Sequence, residues 1–179
     1  IDLTSDGAVL AAGGDAVTLW NSATGAPLHE IDDIGISTAV MFTADDSMLI
    51  TGGVDGAVRL WSLDGGSLSL VNELSGHNAA ISSIESDAAG TLIVTASSDG
   101  VVKVRDPDGS ERFAIPGLAA PGIVDVSPDG TRLAIPDADG TVRLFLLDPD
   151  ALVDLAESRP TRTLSDDECR RYLGDDACP

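Results

Sequence analysis

Apolar residues enter this chain in short bursts, each held between clusters of Asp, Gly, Ser and Thr. The bursts come in pairs. Over residues 43–61, TADDSMLITGGVDGAVRLW, a polar turn leads into an apolar strand, a tight Asp-Gly turn follows, and a second strand closes on Trp61. Residues 87–105 (DAAGTLIVTASSDGVVKVR) and 127–145 (SPDGTRLAIPDADGTVRLF) repeat that order, and residues 4–20 (TSDGAVLAAGGDAVTLW) give a worn version of it. The closing positions Trp20, Trp61, Arg105 and Phe145 fall 41, 44 and 40 residues apart. Short strands bounded by Asp-Gly turns signal hairpins. Self-similarity at a period near 40, with two to four strands per unit, predicts a β-propeller, because one blade cannot bury both its faces alone.

The expected fold class is therefore all-β: about four blades over residues 1–147, the first incomplete, followed by a short helical tail over 148–179. Helix formers at helical spacing are scarce before position 150, whereas Gly, Ser, Thr, Val and Asp dominate. Strands 57–61 and 141–145 alternate only in part, so both their faces are expected to carry burial and the strands to lie inside their blades.

These units resemble WD40 repeats. In that family a blade runs from Gly-His through an apolar strand and a Ser-Pro-Asp-Gly-like turn to a Ser/Thr strand, an Asp turn and a closing Trp-Asp. Residues 76–106 supply Gly76-His77, Ile81, Ile84, Thr95, Asp99-Gly100 and Arg105-Asp106, and lack only the Trp. Residues 40–61 supply Thr51, Asp55 and Trp61, with Asp33 at the place of the family's His. Residues 124–145 keep Asp139 but put Ile135 and Phe145 in the Ser/Thr and Trp places, and Trp20 closes the first copy.

The resemblance implies a buried hydrogen-bond network of His, Ser/Thr, Asp and Trp, and no copy keeps all four. It implies His77, Thr95 and Asp99 as one partial network and Thr51, Asp55 and Trp61 as another. Where Ile135 and Phe145 replace polar partners with apolar bulk, the loss is nearly neutral in stability, and Asp139 is expected to cap its own turn. A propeller of this family commonly closes with about seven or eight blades. Four copies, starting in mid-unit at Ile1-Asp2-Leu3 without a Met, suggest the C-terminal half of a longer protein. The expected neighbours are the remaining blades of a parent propeller, or further copies that pair the open strand edges.

Charge narrows the partners. Asp and Glu number 30 against 10 Lys and Arg, a formal net charge of −20, with Lys103 the sole lysine. Phosphate backbones and anionic membrane surfaces repel such a chain, so neither nucleic acid nor direct anionic-membrane binding is expected. A solvated, turn-rich acidic surface accounts for most of this charge, and recruitment of a basic protein partner is the sharper reading. No 18-residue apolar run and no secretory signal occur in the sequence.

The Asp clusters at 106–109, 137–140 and 148–150 invite a calcium reading, but none supplies the further oxygen donors and distal Glu of an EF-hand loop. Asp-x-Asp-Gly between apolar strands is a turn first. His29 and His77 are the only histidines and neither sits in a nucleophile–base pattern. The Gly-Gly pairs at 13, 52 and 65 lack the following Lys and helix of a phosphate loop. No catalytic, metal or cofactor residues are expected.

After Asp148-Pro149-Asp150 the pattern turns helical: Leu152, Leu155 and Ala156 share a face before Pro160, and Ser165-Asp166-Asp167-Glu168 forms a capping box for a helix ending at Gly174. Cys169 and Cys178, the only cysteines, form a candidate disulfide that would pin the tail, with two reduced thiols the open alternative. A bridge would place the chain outside the cytoplasm, and thiols would fit the cytoplasm. The tail is similar to the extreme C-terminus of large actinobacterial signalling proteins in which a STAND-type NTPase domain precedes WD40 repeats. That resemblance implies an interaction or sensor scaffold whose switch ATPase lies upstream. The alternative is a ligand- or ion-binding propeller, or a propeller enzyme, with its site in the central channel.

Overall fold

The computed structural model describes residues 1–119, 121–137 and 139–148. The expected tail helices and the Cys169–Cys178 pair lie outside the described residues. Every regular element among the described residues is a strand, and each copy of the repeat contributes to an antiparallel sheet paired in chain order. Blade 1 comprises β1 (Asp2–Leu3), β2 (Val9–Ala12), β3 (Val17–Asn21) and β4 (Pro27–Ile31). Blade 2 comprises β5 (Ser37–Phe42), β6 (Met48–Gly53), β7 (Val58–Asp64) and β8 (Ser67–Leu74). Blade 3 comprises β9 (Ile81–Ser86), β10 (Ile93–Ser97), β11 (Val101–Arg105) and β12 (Glu111–Ile115). In blade 4 the described strands are β13 (Asp125–Val126), β14 (Arg132–Pro136) and β15 (Val142–Leu146). Four antiparallel sheets of this kind make part of a β-propeller.

Local chemistry sets the meander. In the first turn of blade 2, Thr43 Oγ1 donates to Asp45 Oδ1 at 2.7 Å and accepts Met48 N–H at 3.1 Å, while Asp45 Oδ1 accepts Ser47 N–H at 3.1 Å. Ser127, Asp129 and Thr131 repeat the device in blade 4. There the Ser127 hydroxyl, then the Thr131 N–H and hydroxyl, draw the Asp129 carboxyl down to about 2. In blade 3 the acid has moved to the Thr43 place: Asp87 Oδ1 accepts Thr91 N–H at 2.6 Å and Leu92 N–H at 3.0 Å. The second turns of blades 2 and 3 need glycine twice over. Gly56 and Gly100 have φ of +80° and +82°, and a Cβ on them would lie 2.8 Å from the His77 carbonyl and 2.7 Å from the Leu118 carbonyl.

Strand period 2 then sorts side chains between neighbouring blades. In blade 2, Leu49 and Trp61 join Ala11, Val17, Leu19 and Ile31 of blade 1 in one core, while Ile50, Val58 and Leu60 join Ile81, Ile84 and Ile93 of blade 3 in a second. The third core sets Val94, Ala96, Val102 and Val104 of blade 3 against Val124, Val126, Leu133 and Ile135 of blade 4. Four blades thus enclose three apolar layers. Each fully buried Leu, Ile or Val in them contributes about 1.5–3 kcal/mol relative to exposure. The first strands of successive blades lie against one another, which places β1, β5, β9 and β13 at the inner edge.

Two details depart from the sequence reading. Strand 141–145 was expected inside its blade. It falls on β15, the last described strand of its sheet, and Val142 and Leu144, on the face turned away from blade 3, are 61% and 74% exposed, because among the described residues no further sheet lies against that face. The worn first copy has a hairpin two residues shorter than that of blade 2: Ala12 pairs with Thr18, where Thr51 pairs with Arg59.

Candidate functional site

In blade 3, Val94, Ala96, Val102 and Val104 face blade 4, so the intervening Thr95, Lys103 and Arg105 face blade 2. His77, on the segment leading into β9, completes a polar cluster there. Its Nε2 lies 2.9 Å from Thr95 Oγ1 and its Nδ1 lies 3.2 Å from Asp99 Oδ2. Asp99 also accepts the backbone N–H of Asn78 at 2.8 Å and of Val101 at 3.0 Å. Burial works against the Asp99 carboxylate, but those two N–H groups and the His77 ring outweigh it and hold its pKa below the ordinary value. Burial pushes the His77 ring down, against the pull of Asp99. The neutral ring therefore donates Nδ1–H to the carboxylate and accepts the Thr95 hydroxyl at Nε2. With both nitrogens engaged and the ring buried, His77 fastens the loop to the blade.

Blade 2 divides the same parts differently. Trp61 Nε1 donates to Thr51 Oγ1 at 3.0 Å in a buried bond. Asp55 does not join them, contrary to the three-member network expected from sequence. It accepts Ala57 N–H at 3.0 Å and Arg59 Nη2 at 2.8 Å, and Arg59 Nε reaches Glu73 at 2.8 Å. The physical reason is local: with Asp33 by count at the histidine place, Asp55 lacks an imidazole partner, and Arg59 four residues on meets its charge. Blades 2 and 3 thus hold complementary halves of one network, Trp–Thr in the first and His–Thr–Asp in the second.

The remaining predicted residues stay within their own turns or faces. Asp139 accepts Thr141 N–H at 2.9 Å and the Thr141 hydroxyl at 2.6 Å. Trp20 pairs in register with Leu10, and Ala12 takes the register place of Thr51, so no hydroxyl stands there for its indole.

Arg105 holds the closing tryptophan place of blade 3, as the repeat pattern gave it, and turns its guanidinium to backbone carbonyls, contacts that the pattern alone did not reveal. It is 4% exposed, its Nη1 donates to Gly109 O and its Nη2 to Ser75 O, each at 3.1 Å. Its Nε is buried with no hydrogen-bond partner among the described residues. Lys103 beside it pairs with Glu111 at 2.6 Å.

Register also aligns a set that sequence reasoning missed. Asp2, Met41, Glu85 and Asp125 each stand two residues before the turn-opening residues Thr4, Thr43, Asp87 and Ser127, on the inner strands of the four blades. Burial, followed by the charges of Asp125 and Asp2, raises the Glu85 pKa. Counting back from each turn was the signal that would have found them. Asp2, Glu85 and Asp125, the three acids of the set, add negative potential at the inner edge.

The fold and these clusters define a repeat protein made of propeller blades. Residues 27–62 and 68–106 match the family model described as WD domain, G-beta repeat. The chain carries WD40 repeats. Each matched stretch begins on or beside the outer strand of one blade, β4 or β8, and ends at the close of the third strand of the next, so the repeat itself straddles neighbouring blades. The chain is 26% identical to autophagy-related protein 16 of Arabidopsis thaliana over 162 residues, 87% of this chain and 31% of that protein. It is 32% identical over 112 residues to WD repeat-containing protein VIP3 of the same plant, 60% of this chain and 33% of VIP3. It is 30% identical over 131 residues to the plant's WD repeat-containing protein WDS homolog, 70% of this chain and 25% of that protein. The chain spans about a third or less of the length of these relatives.

Proposed function

We propose that this blade array is a protein-interaction or sensor scaffold, and that it works as the C-terminal propeller part of a larger signalling protein with a STAND-type NTPase domain upstream. WD40 repeat proteins are in general interaction scaffolds, which supports the first half. The likeness of the tail sequence supports the second. The observation that carries the reading is how the polar groups are spent. His77, Thr95, Asp99, Asp55 and Asp139 all fix turns and loops, so the rims are rigid platforms for side chains that meet a partner. The acidic surface favours a basic protein partner.

Val142 and Leu144 hold the register places at which Val102 and Val104 bury blade 3 against blade 4. Their exposure supports a further blade, of the parent protein or of a second copy, as the neighbour on that side. The compartment follows the tail: extracytoplasmic if Cys169 and Cys178 are bridged, cytoplasmic if they are thiols.

Crosslinked affinity capture from the source cell, run beside a thermal-stabilisation panel of metals and metabolites, tests the reading. Saturable capture of a protein partner with no small-molecule stabilisation supports it. Stabilisation by an ion or metabolite without a protein partner favours the channel-binding alternative. The intact mass of the native polypeptide that carries this tail tests the upstream domain: a mass far above 18.3 kDa is expected.

A further inference from the structure

The three blade-to-blade junctions differ at the first-hairpin turns. Between blades 1 and 2 the turns are tied: Asp46, at a φ of 56°, aims its carboxylate at Ser5, accepting the backbone N–H at 2.9 and 3.0 Å and the hydroxyl at 2.5 Å. Between blades 3 and 4, Ala88 N–H donates to Pro128 O at 3.1 Å. Between blades 2 and 3 the places of Ser5 and Asp46 are taken by Ala44 and Gly90, and among the described residues no hydrogen bond joins turn 43–47 to turn 87–91. A cavity of about 170 Å³ opens there, floored by Met41, Met48, Ile50, Leu60, Leu92 and Ile93.

We propose that this cleft between blades 2 and 3 is a docking site for one apolar side chain of a partner protein, presented on a segment rich in Lys and Arg. The proposal rests on the interaction reading above and gives it a place. The size fits, since apolar cavities of about 150 Å³ accept a benzene-sized group. Paired methionines suit a guest of variable shape, because the unbranched thioether chain repacks easily.

Charge selects what flanks the guest. Asp45 lines the cleft and Asp46 follows it, while Asp106 and Asp108 flank Pro107, another lining residue. Of these four carboxylates only Asp106 has a cationic partner among the described residues, Arg112 at 2.6 Å. A peptide with basic residues on either side of its anchor would neutralise the rest.

Met41 and Met48 are the only methionines in the chain, so a protein labelled with 13C at the methionine methyls reports on this cleft alone. The full chain would be titrated with the synthetic peptide Lys-Arg-Leu-Arg-Lys and with Lys-Arg-Ser-Arg-Lys. Both methyl resonances are expected to move and saturate with the leucine peptide, and the serine peptide should bind at least about tenfold more weakly. Ala89→Phe, at an exposed lining position, should plug the cleft and weaken the leucine peptide about tenfold without moving the thermal unfolding midpoint. Asp45→Asn combined with Asp108→Asn should weaken it and flatten its salt dependence. Equal binding of the two peptides, or methyl resonances that stay still, would overturn the proposal. A captured cellular partner that binds wild type and Ala89→Phe equally would also overturn it, while leaving the interaction reading intact.

Discussion

His77 is held by what its two nitrogens do, and the cost of disturbing it can be stated. Asp99→Ala removes the acceptor for the His77 ring and for the N–H groups of Asn78 and Val101, so it should lower unfolding stability by about 1–3 kcal/mol in urea titrations. Thr51→Val leaves the buried Trp61 indole N–H without its partner and should cost a similar amount, about 1–3 kcal/mol, by the same measurement. pH acts through the ring as well. Burial sets the folded pKa of His77 below 6.5, and the nearby Lys103 and Arg105 charges push the same way against Asp99. Protonation therefore favours the unfolded chain. The ring's contribution is complete above about pH 6.5 and is lost as pH falls below it toward the folded value. Asp99, whose folded pKa is also lowered, loses its contribution only below its ordinary 3.8. Between pH 7 and 5 the wild type should lose stability relative to His77→Gln, read from paired urea midpoints.

Within a blade, the hairpins were legible because they are written in turn chemistry: Asp55-Gly56 and Asp99-Gly100 announce themselves by residue type. The outer strands β4, β8 and β12 were not, since Leu70, Val71 and Phe113 are exposed and such strands show no apolar period. The network of blade 3 could be reached through the family pattern, whereas the turn of Asp55 toward Arg59 shows only in the fold, because the pattern does not say which group meets the carboxylate once the histidine is gone. Equally hidden were the bulge hydroxyls. Thr38 and Ser82 drop out of the pairing register of β5 and β9, and their hydroxyls donate to carbonyls of the following blade, Thr38 to Ile81 O at 2.6 Å and Ser82 to Pro121 O at 2.8 Å. A bulge leaves no mark in composition. At the same scale, Arg105→Trp replaces a buried guanidinium with one unpartnered nitrogen by the residue whose counterpart in blade 2 reaches the equivalent threonine. It should raise stability by about 1 kcal/mol in chemical denaturation, as replacement of a buried charge by well-packed apolar volume often does.

Across the whole array, stability comes from three apolar layers shared by neighbouring blades, so no blade should unfold alone without disturbing the next. The last face tests this from outside. Leu144→Asp changes a residue 74% exposed, so its unfolding midpoint should shift by no more than about 0.5 kcal/mol, while any rise of mass with concentration in light scattering should be abolished. The acidic inner edge and the cleft between blades 2 and 3 then become properties of a rigid assembly, which is what a binding scaffold requires. Hydrogen exchange read by mass spectrometry over the full chain tests that claim most directly. The account predicts that β6, β7, β10 and β11, which are flanked in their sheets and layered on both faces, exchange slowest and as one cooperative group. Exchange of blades 2 and 3 as independent units, or at the rate of their exposed turns, would contradict it.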